Sequence, residues 1–202
     1  MASKNEIINL ALGHIGVSQT ITDIDTDSSN EGKAINRYYD TVLREVFEEF
    51  DWPFASKVVT LAEISTAPTT EWGYEYTYPS DCLKFLKIIS GTRNETDTSW
   101  VAYEIVHGDT ATVIYTDEAS AVAKYTAVIT DEALYPHDFV MALSWRLAFY
   151  VSPTLMTGDP FKLREAAAQF ARVWINKAAA RLYNESPRER RPQSIFHRGR
   201  NS

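Results

Sequence analysis

From Ala34 to Phe50, apolar residues recur as adjacent pairs every four positions, and after Trp52-Pro53 the period of the chain changes. The pairs are Ala34-Ile35, Tyr38-Tyr39, Val42-Leu43 and Val46-Phe47, closed by Phe50. This spacing places them on one wide stripe of a helix, with Arg37, Asp40, Arg44, Glu48 and Glu49 mostly on the other side. Ser28 and Glu31 have capping-box spacing and predict where the helix opens. Proline disfavours helical geometry in the residue before it, so Asp51-Trp52-Pro53-Phe54 predicts where it stops.

The same signals place three more helices. Ser3 and Glu6 predict a first helix carrying Ile7, Ile8, Leu10, Ala11, Leu12 and Ile15, which Gly16 can end. Residues 17–28 read as a polar loop. Helical spacing returns near Tyr135-Pro136 with Phe139, Val140, Leu143, Leu147 and Tyr150, where proline and Asp138 suit a first turn. Pro153 and Gly158 predict a break. Asp159-Pro160 predicts the cap and first position of a last helix, running to about Tyr183 and rich in alanine (Ala166, Ala167, Ala168, Ala171, Ala178, Ala179, Ala180).

Between the helical stretches lie six short runs rich in β-branched and aromatic residues: 57–63, 72–78, 84–90, 100–107, 110–115 and 122–129. Turn-forming clusters separate them, among them Pro79-Ser80-Asp81 and a predicted hairpin turn at Gly108-Asp109. The fold class expected is therefore α+β. A helical bundle from the N- and C-terminal helices carries an inserted antiparallel β domain of five or six strands, followed by an extended C-terminal arm. The expected parts are 1–55 (helical), 56–131 (β), 132–184 (helical) and 185–202 (basic arm).

The formal charge of −7 is uneven. Residues 184–202 hold five Arg against two Glu, and the 183 residues before them hold 15 basic and 25 acidic side chains. A basic tail on an acidic body reads as an interaction arm, against the plainer reading of a solvated terminus. Arg188, Arg190, Arg191, Arg198 and Arg200 offer planar, bidentate contacts to carboxylates or phosphates, and Ile195-Phe196 adds an apolar anchor. An arm that orders on its partner can wrap a large surface. The acidic body repels phosphate and the arm has one aromatic for stacking, so a protein partner is favoured over nucleic acid.

Chemistry is sparse. His14, His107, His137 and His197 stand apart from one another and from Cys82, so no metal set and no cofactor is expected. His14 and His137 could serve as bases, but packing or capping is the simpler expectation. Asp23, Asp25 and Asp27 alternate as in a calcium loop, yet the sixth and twelfth places hold Ser28 and Ala34 in place of Gly and Glu. A solvated acidic loop is expected instead, one that would repel a duplex if it faced DNA. No nucleophile motif or phosphate-cradling glycine loop occurs, so no catalytic residue is assigned. A lone Cys82 and the absence of a long apolar leader predict folding in a reducing cytoplasm.

Several stretches together resemble a known family. They are Ile8-Asn9-Leu10-Ala11-Leu12-Gly13-His14-Ile15-Gly16, Tyr38-Tyr39-Asp40-Thr41-Val42-Leu43-Arg44-Glu45-Val46 and Trp52-Pro53-Phe54-Ala55. Tyr76-Thr77-Tyr78-Pro79-Ser80-Asp81-Cys82-Leu83-Lys84 and Tyr125-Thr126-Ala127-Val128-Ile129-Thr130-Asp131 complete them. In this order they resemble the tail tubular protein A and head-to-tail adaptor family of short-tailed phages and their relatives, over roughly residues 5–175. The resemblance implies a non-enzymatic virion part at the head–tail junction, forming a ring of typically twelve subunits under the portal with a DNA channel on its axis. It implies a portal on one face and a tail tube, nozzle or fibres on the other, with DNA passing unbound. The Trp52-Pro53-Phe54 corner is then expected to pack the helical body on the β domain, and the basic arm to dock between portal subunits. The competing expectations are a DNA-binding accessory protein using that arm, and a virion hydrolase.

Overall fold

The computed structural model describes residues 2–64, 71–91, 100–108, 111–156 and 160–185. Among them, the fold is mixed α and β: four α-helices and two small antiparallel sheets of three strands each. The helices are α1 (Lys4–His14), α2 (Asn30–Glu49), α3 (His137–Leu155) and α4 (Pro160–Glu185). The strands are β1 (Ser56–Thr60), β2 (Tyr74–Thr77), β3 (Cys82–Ile88), β4 (Tyr103–His107), β5 (Thr112–Thr116) and β6 (Val122–Ala127).

Local signals fix the helix ends. The Ser3 hydroxyl accepts the Glu6 N–H at the start of α1. At its other end Gly16 has φ +77°, and the N–H groups of Gly16 and Val17 reach back to the carbonyls of Gly13 and Leu12. That pair of bonds closes the helix end, and a left-handed residue is needed to make it. The start of α2 lies one residue later than expected. Ser29, not Ser28, is the cap, its Oγ accepting from Gly32 N at 3.0 Å. Asp27 decides the shift: its Oδ1 takes the Ser29 N–H at 2.7 Å and lies where a Cβ on residue 32 would stand, 2.8 Å away. Glycine at position 32 leaves room for it.

The break expected at Pro153 and Gly158 falls where α3 ends at Leu155 and α4 begins at Pro160; Pro153 itself sits in the last turn of α3. A proline cannot donate to the carbonyl four residues back. Here the Ser152 hydroxyl donates to that carbonyl, Phe149 O, at 3.2 Å. Pro136 is the N-cap of α3, just outside its first turn. Gly158 and Asp159 lie outside the described residues. α4 begins at Pro160 and reaches Glu185, two residues past the predicted end.

Helix α3 is the hub: α1, α2 and α4 all pack against it. It is buried nearly all round, with Phe139, Ala142, Leu143, Ser144, Leu147, Ala148, Val151 and Ser152 fully enclosed. α4 packs on it, and the buried residues of α4 are Ile175 and three alanines, Ala167, Ala171 and Ala178, whose small side chains allow close approach. Arg146 of α3 reaches Glu45 at 3.3 Å and also Glu49, two carboxylates one turn apart on α2.

Each stretch expected as a strand contains one, but they divide into two sheets, ordered β1-β6-β3 and β2-β5-β4. In the first, Ser56 pairs with Thr126 and Thr60 with Val122, so β1 and β6 lie side by side in opposite directions. The second is joined to it by the chain after β1, where Glu63 bridges to Tyr76. Alternate residues Ala123, Tyr125 and Ala127 of β6 face a second small core with Leu61, Tyr76, Ile88, Ile114 and Ala121. β4 and β5 form a hairpin closed by Gly108 N to Ala111 O; Asp109 lies outside the described residues.

Trp52 is part of the helical core, against which Leu83 of the first sheet also packs. Trp52 is 1% exposed, and its ring meets Phe139 edge-on at 4.9 Å and Phe50 at 5.0 Å. The helices also meet the first sheet directly. α2 touches β3 and β6, Leu83, Val128 and Ile129 pack against the helical core, and Lys84 pairs with Asp51 at 2.7 Å.

Candidate interaction surfaces

The residues expected to carry binding, Arg188, Arg190, Arg191, Ile195, Phe196, Arg198 and Arg200, lie outside the described residues. The described chain ends at Glu185, and there it borders a cleft of about 280 Å³. Three stretches far apart in sequence build its walls: the corner 50–54, Pro136 and Asp138 at the start of α3, and Ala178, Arg181, Leu182 and Glu185 on the last turns of α4. Aromatic and aliphatic surface dominates. The charged groups are Asp138, Arg181 and Glu185; the Asp138 side chain is 5% exposed and pairs with Arg181 at 3.1 Å. It stands in the first turn of α3, where the helix dipole also favours a negative charge. Arg181, 57% exposed, leaves one side of its guanidinium to solvent.

The other residues weighed as chemical candidates have structural partners. His14 stacks flat on Trp145, centroids 3.6 Å apart, and its Nε2 meets Ser144 Oγ at 3.1 Å. Burial lowers its pKa from the ordinary histidine value. Trp145 stacks in turn on Phe170 at 4.6 Å, so three rings tie α1, α3 and α4 together. His137 meets Trp174 edge-on, and His107 contacts Thr112 Oγ1 at 3.0 Å. His197 lies outside the described residues.

The acidic loop is occupied with its own backbone. Asp23 accepts from Asp25 N at 3.1 Å and Thr26 Oγ1 at 2.9 Å, Asp27 accepts from Ser29 N, and Lys4 reaches Asp25 at 3.4 Å. Among the described residues, no group of three or more His, Cys, Asp or Glu is placed to hold a metal ion.

Sequence reading missed what anchors this loop. Ile21 and Ile24 are buried, and two asparagines on α1 hold the backbone beside them. Asn9 pairs with Ile21 in both directions, Nδ2 to O at 2.9 Å and N to Oδ1 at 2.8 Å. Asn5 likewise binds Thr22 O at 2.7 Å and accepts from Ile24 N at 3.2 Å. The available signal was Asn5 and Asn9 at helical spacing on a helix rich in apolar residues, followed by a loop that contains two isoleucines.

The Tyr78–Cys82 motif forms a clamp between strands. Cys82 N bonds Pro79 O at 3.1 Å, and its thiol donates to Tyr78 Oη at 3.1 Å. Asp81 accepts from Lys57 of β1 at 2.6 Å and from the Tyr125 hydroxyl of β6 at 2.8 Å. These two bonds hold the Asp81 carboxyl below its ordinary pKa. Burial, and then the hydrogen bond to Asp81 and the Asp81 charge, push Tyr125 up to about 12.

Large apolar side chains face solvent on separate elements. Phe161, Phe170, Val173 and Tyr183 do so on α4, and Val58 and Val59 on β1, an edge strand of its sheet. An uncovered edge and exposed rings are features of surfaces made for neighbours. Neither a family model nor a curated protein matches the sequence.

Proposed function

We propose that this chain is a structural adaptor of a tailed bacteriophage, a virion subunit that forms a ring around the DNA channel and joins the portal to the tail. In this reading a helical bundle with an inserted β domain forms the ring body. The extended arm (Arg188, Arg190, Arg191, Ile195, Phe196, Arg198, Arg200) engages the portal, and the opposite face receives a tail tube, nozzle or fibre protein. The observation that carries it is the order of sequence patterns: helix, helix, Trp-x-Phe-Ala, strand, Tyr-x-x-Pro-x-Asp-Cys, strand. A mixed fold with apolar side chains exposed on both α4 and β1 supports it, because a closed ring needs two different flanks on each subunit. Several modest arms acting together hold by avidity, since each later docking is effectively intramolecular.

The test is co-sedimentation of the chain with portal rings of the same phage, with and without residues 185–202. The truncated chain should stay folded and lose attachment; attachment equal to that of the full chain would remove the arm's role. The second reading, a DNA-binding accessory protein, is favoured by the five arginines of the tail. It predicts DNA binding that weakens steeply with salt and no affinity for portal.

A further inference from the structure

The cleft at the end of α4 has the character of a seat, and the chain itself holds one segment suited to it. Seventeen residues follow Glu185, which stands on the rim of the cleft. They contain one pair of large apolar residues, Ile195-Phe196, and five arginines against one glutamate. The cleft walls are Phe50, Trp52, Phe54, Pro136, Ala178 and Leu182, and its volume of about 280 Å³ is of the order of one aromatic and one aliphatic side chain. Asp138 and Glu185 give it two carboxylates against the single Arg181. The geometry points to Ile195-Phe196 docking into this cleft of its own chain, with the arginines around it facing the acidic body.

Reach is not a constraint. Ile195 stands ten residues past Glu185, about 30 Å of extended chain, and Pro187 and Pro192 favour turns on the way. Tethering makes the encounter intramolecular, at an effective concentration in the millimolar range for a short linker, so a weak apolar contact suffices. This inference concerns the free chain and does not rest on the adaptor reading. Where a partner also takes the arm, cleft and partner compete for the same two side chains.

Methyl resonances of the full chain provide the test. The Ala178 and Leu182 methyls should shift on going from wild type to Ile195→Ala/Phe196→Ala, while those of Ala11 and Leu12 on α1 stay in place. The shifts should be unchanged on tenfold dilution. Arg188→Ser/Arg190→Ser/Arg191→Ser should weaken the wild-type pattern without abolishing it. Identical Ala178 and Leu182 signals in wild type and the double variant would overturn the docking. Shifts that fade on dilution would overturn the intramolecular seat, assigning the cleft to the arm of a second copy. The Ala11 and Leu12 methyls report whether the fold is intact in each variant, and no portal enters the experiment.

Discussion

Replacing Trp52 by phenylalanine tests how α2 ends and what holds the aromatic core. The last four carbonyls of a helix have no donor within it, and Val46 O is one of these in α2. The Trp52 indole N–H donates to it at 2.7 Å, and both atoms are buried. Phenylalanine keeps an aromatic face toward Phe139 and Phe50 but has no donor. The stranded carbonyl costs about 1–3 kcal/mol. The smaller ring leaves a void among neighbours locked edge-on, adding on the order of 1 kcal/mol. Trp52→Phe should therefore lose about 2–4 kcal/mol, a large part of the ~5–15 kcal/mol typical of a domain. Urea unfolding followed by far-ultraviolet circular dichroism measures it, since tryptophan emission would itself change. Trp100→Phe is the control: Trp100 is 62% exposed, and its loss should stay within about 0.5 kcal/mol. A Trp52→Phe midpoint equal to that of wild type, with the same urea slope, would refute both the cap and the tightness of the core.

Asn9→Ala removes both bonds to the Ile21 backbone and should destabilise the chain by about 1–2 kcal/mol, with the groups it frees partly rescued by water. The Ile21 amide should exchange faster by a matching factor while amides in the middle of α3 do not; unchanged exchange at Ile21 counts against the anchor. His14 gives a pH dependence of definite sign. Its folded pKa is lowered, so the unfolded chain binds more protons below about pH 6.5, and the stability linked to His14 is complete above that pH and declines as pH falls through the folded value. Thermal unfolding between pH 7.5 and 5 should show this decline in wild type and lack that component in His14→Gln. Parallel curves would show that His14 titrates alike in both states.

Legibility in the sequence followed the range of the interaction. The stripe of α2, the left-handed turn at Gly16 and the alternation of Ala123, Tyr125 and Ala127 depend on neighbours a few residues away, and each was readable. One local signal misled by a single residue because a nearby side chain intervened: Asp27 holds the Ser29 N–H, and Ser29 rather than Ser28 caps α2. The division of six strands into two sheets was hidden, since β1 finds its partner β6 some 66 residues away, as the Val58–Lys124 pairing shows. Burial of Ile21 and Ile24 was hidden for the same reason, depending on asparagines of another element. The cleft was least legible of all, because positions near 52, 137 and 181 meet only in three dimensions. The arginines of the tail were plain in the sequence, and nothing in their spacing named a partner.

The pairing of Ser56 with Thr126 has a consequence for how such a chain can change over time. The polypeptide leaves the helices and comes back to them through two hydrogen-bonded neighbours, one strand spacing apart, about 4.8 Å. Part of what lies beyond that doorway, Leu83 and Lys84 of β3, still leans on the helical part, and the segments farther out act on α1, α2 and α3 mainly through these stems, provided they stay zipped. Loops at the far tips are thus free to lengthen, shrink or take on new specificities, while the helical hub and its aromatic centre stay under an unchanged set of constraints.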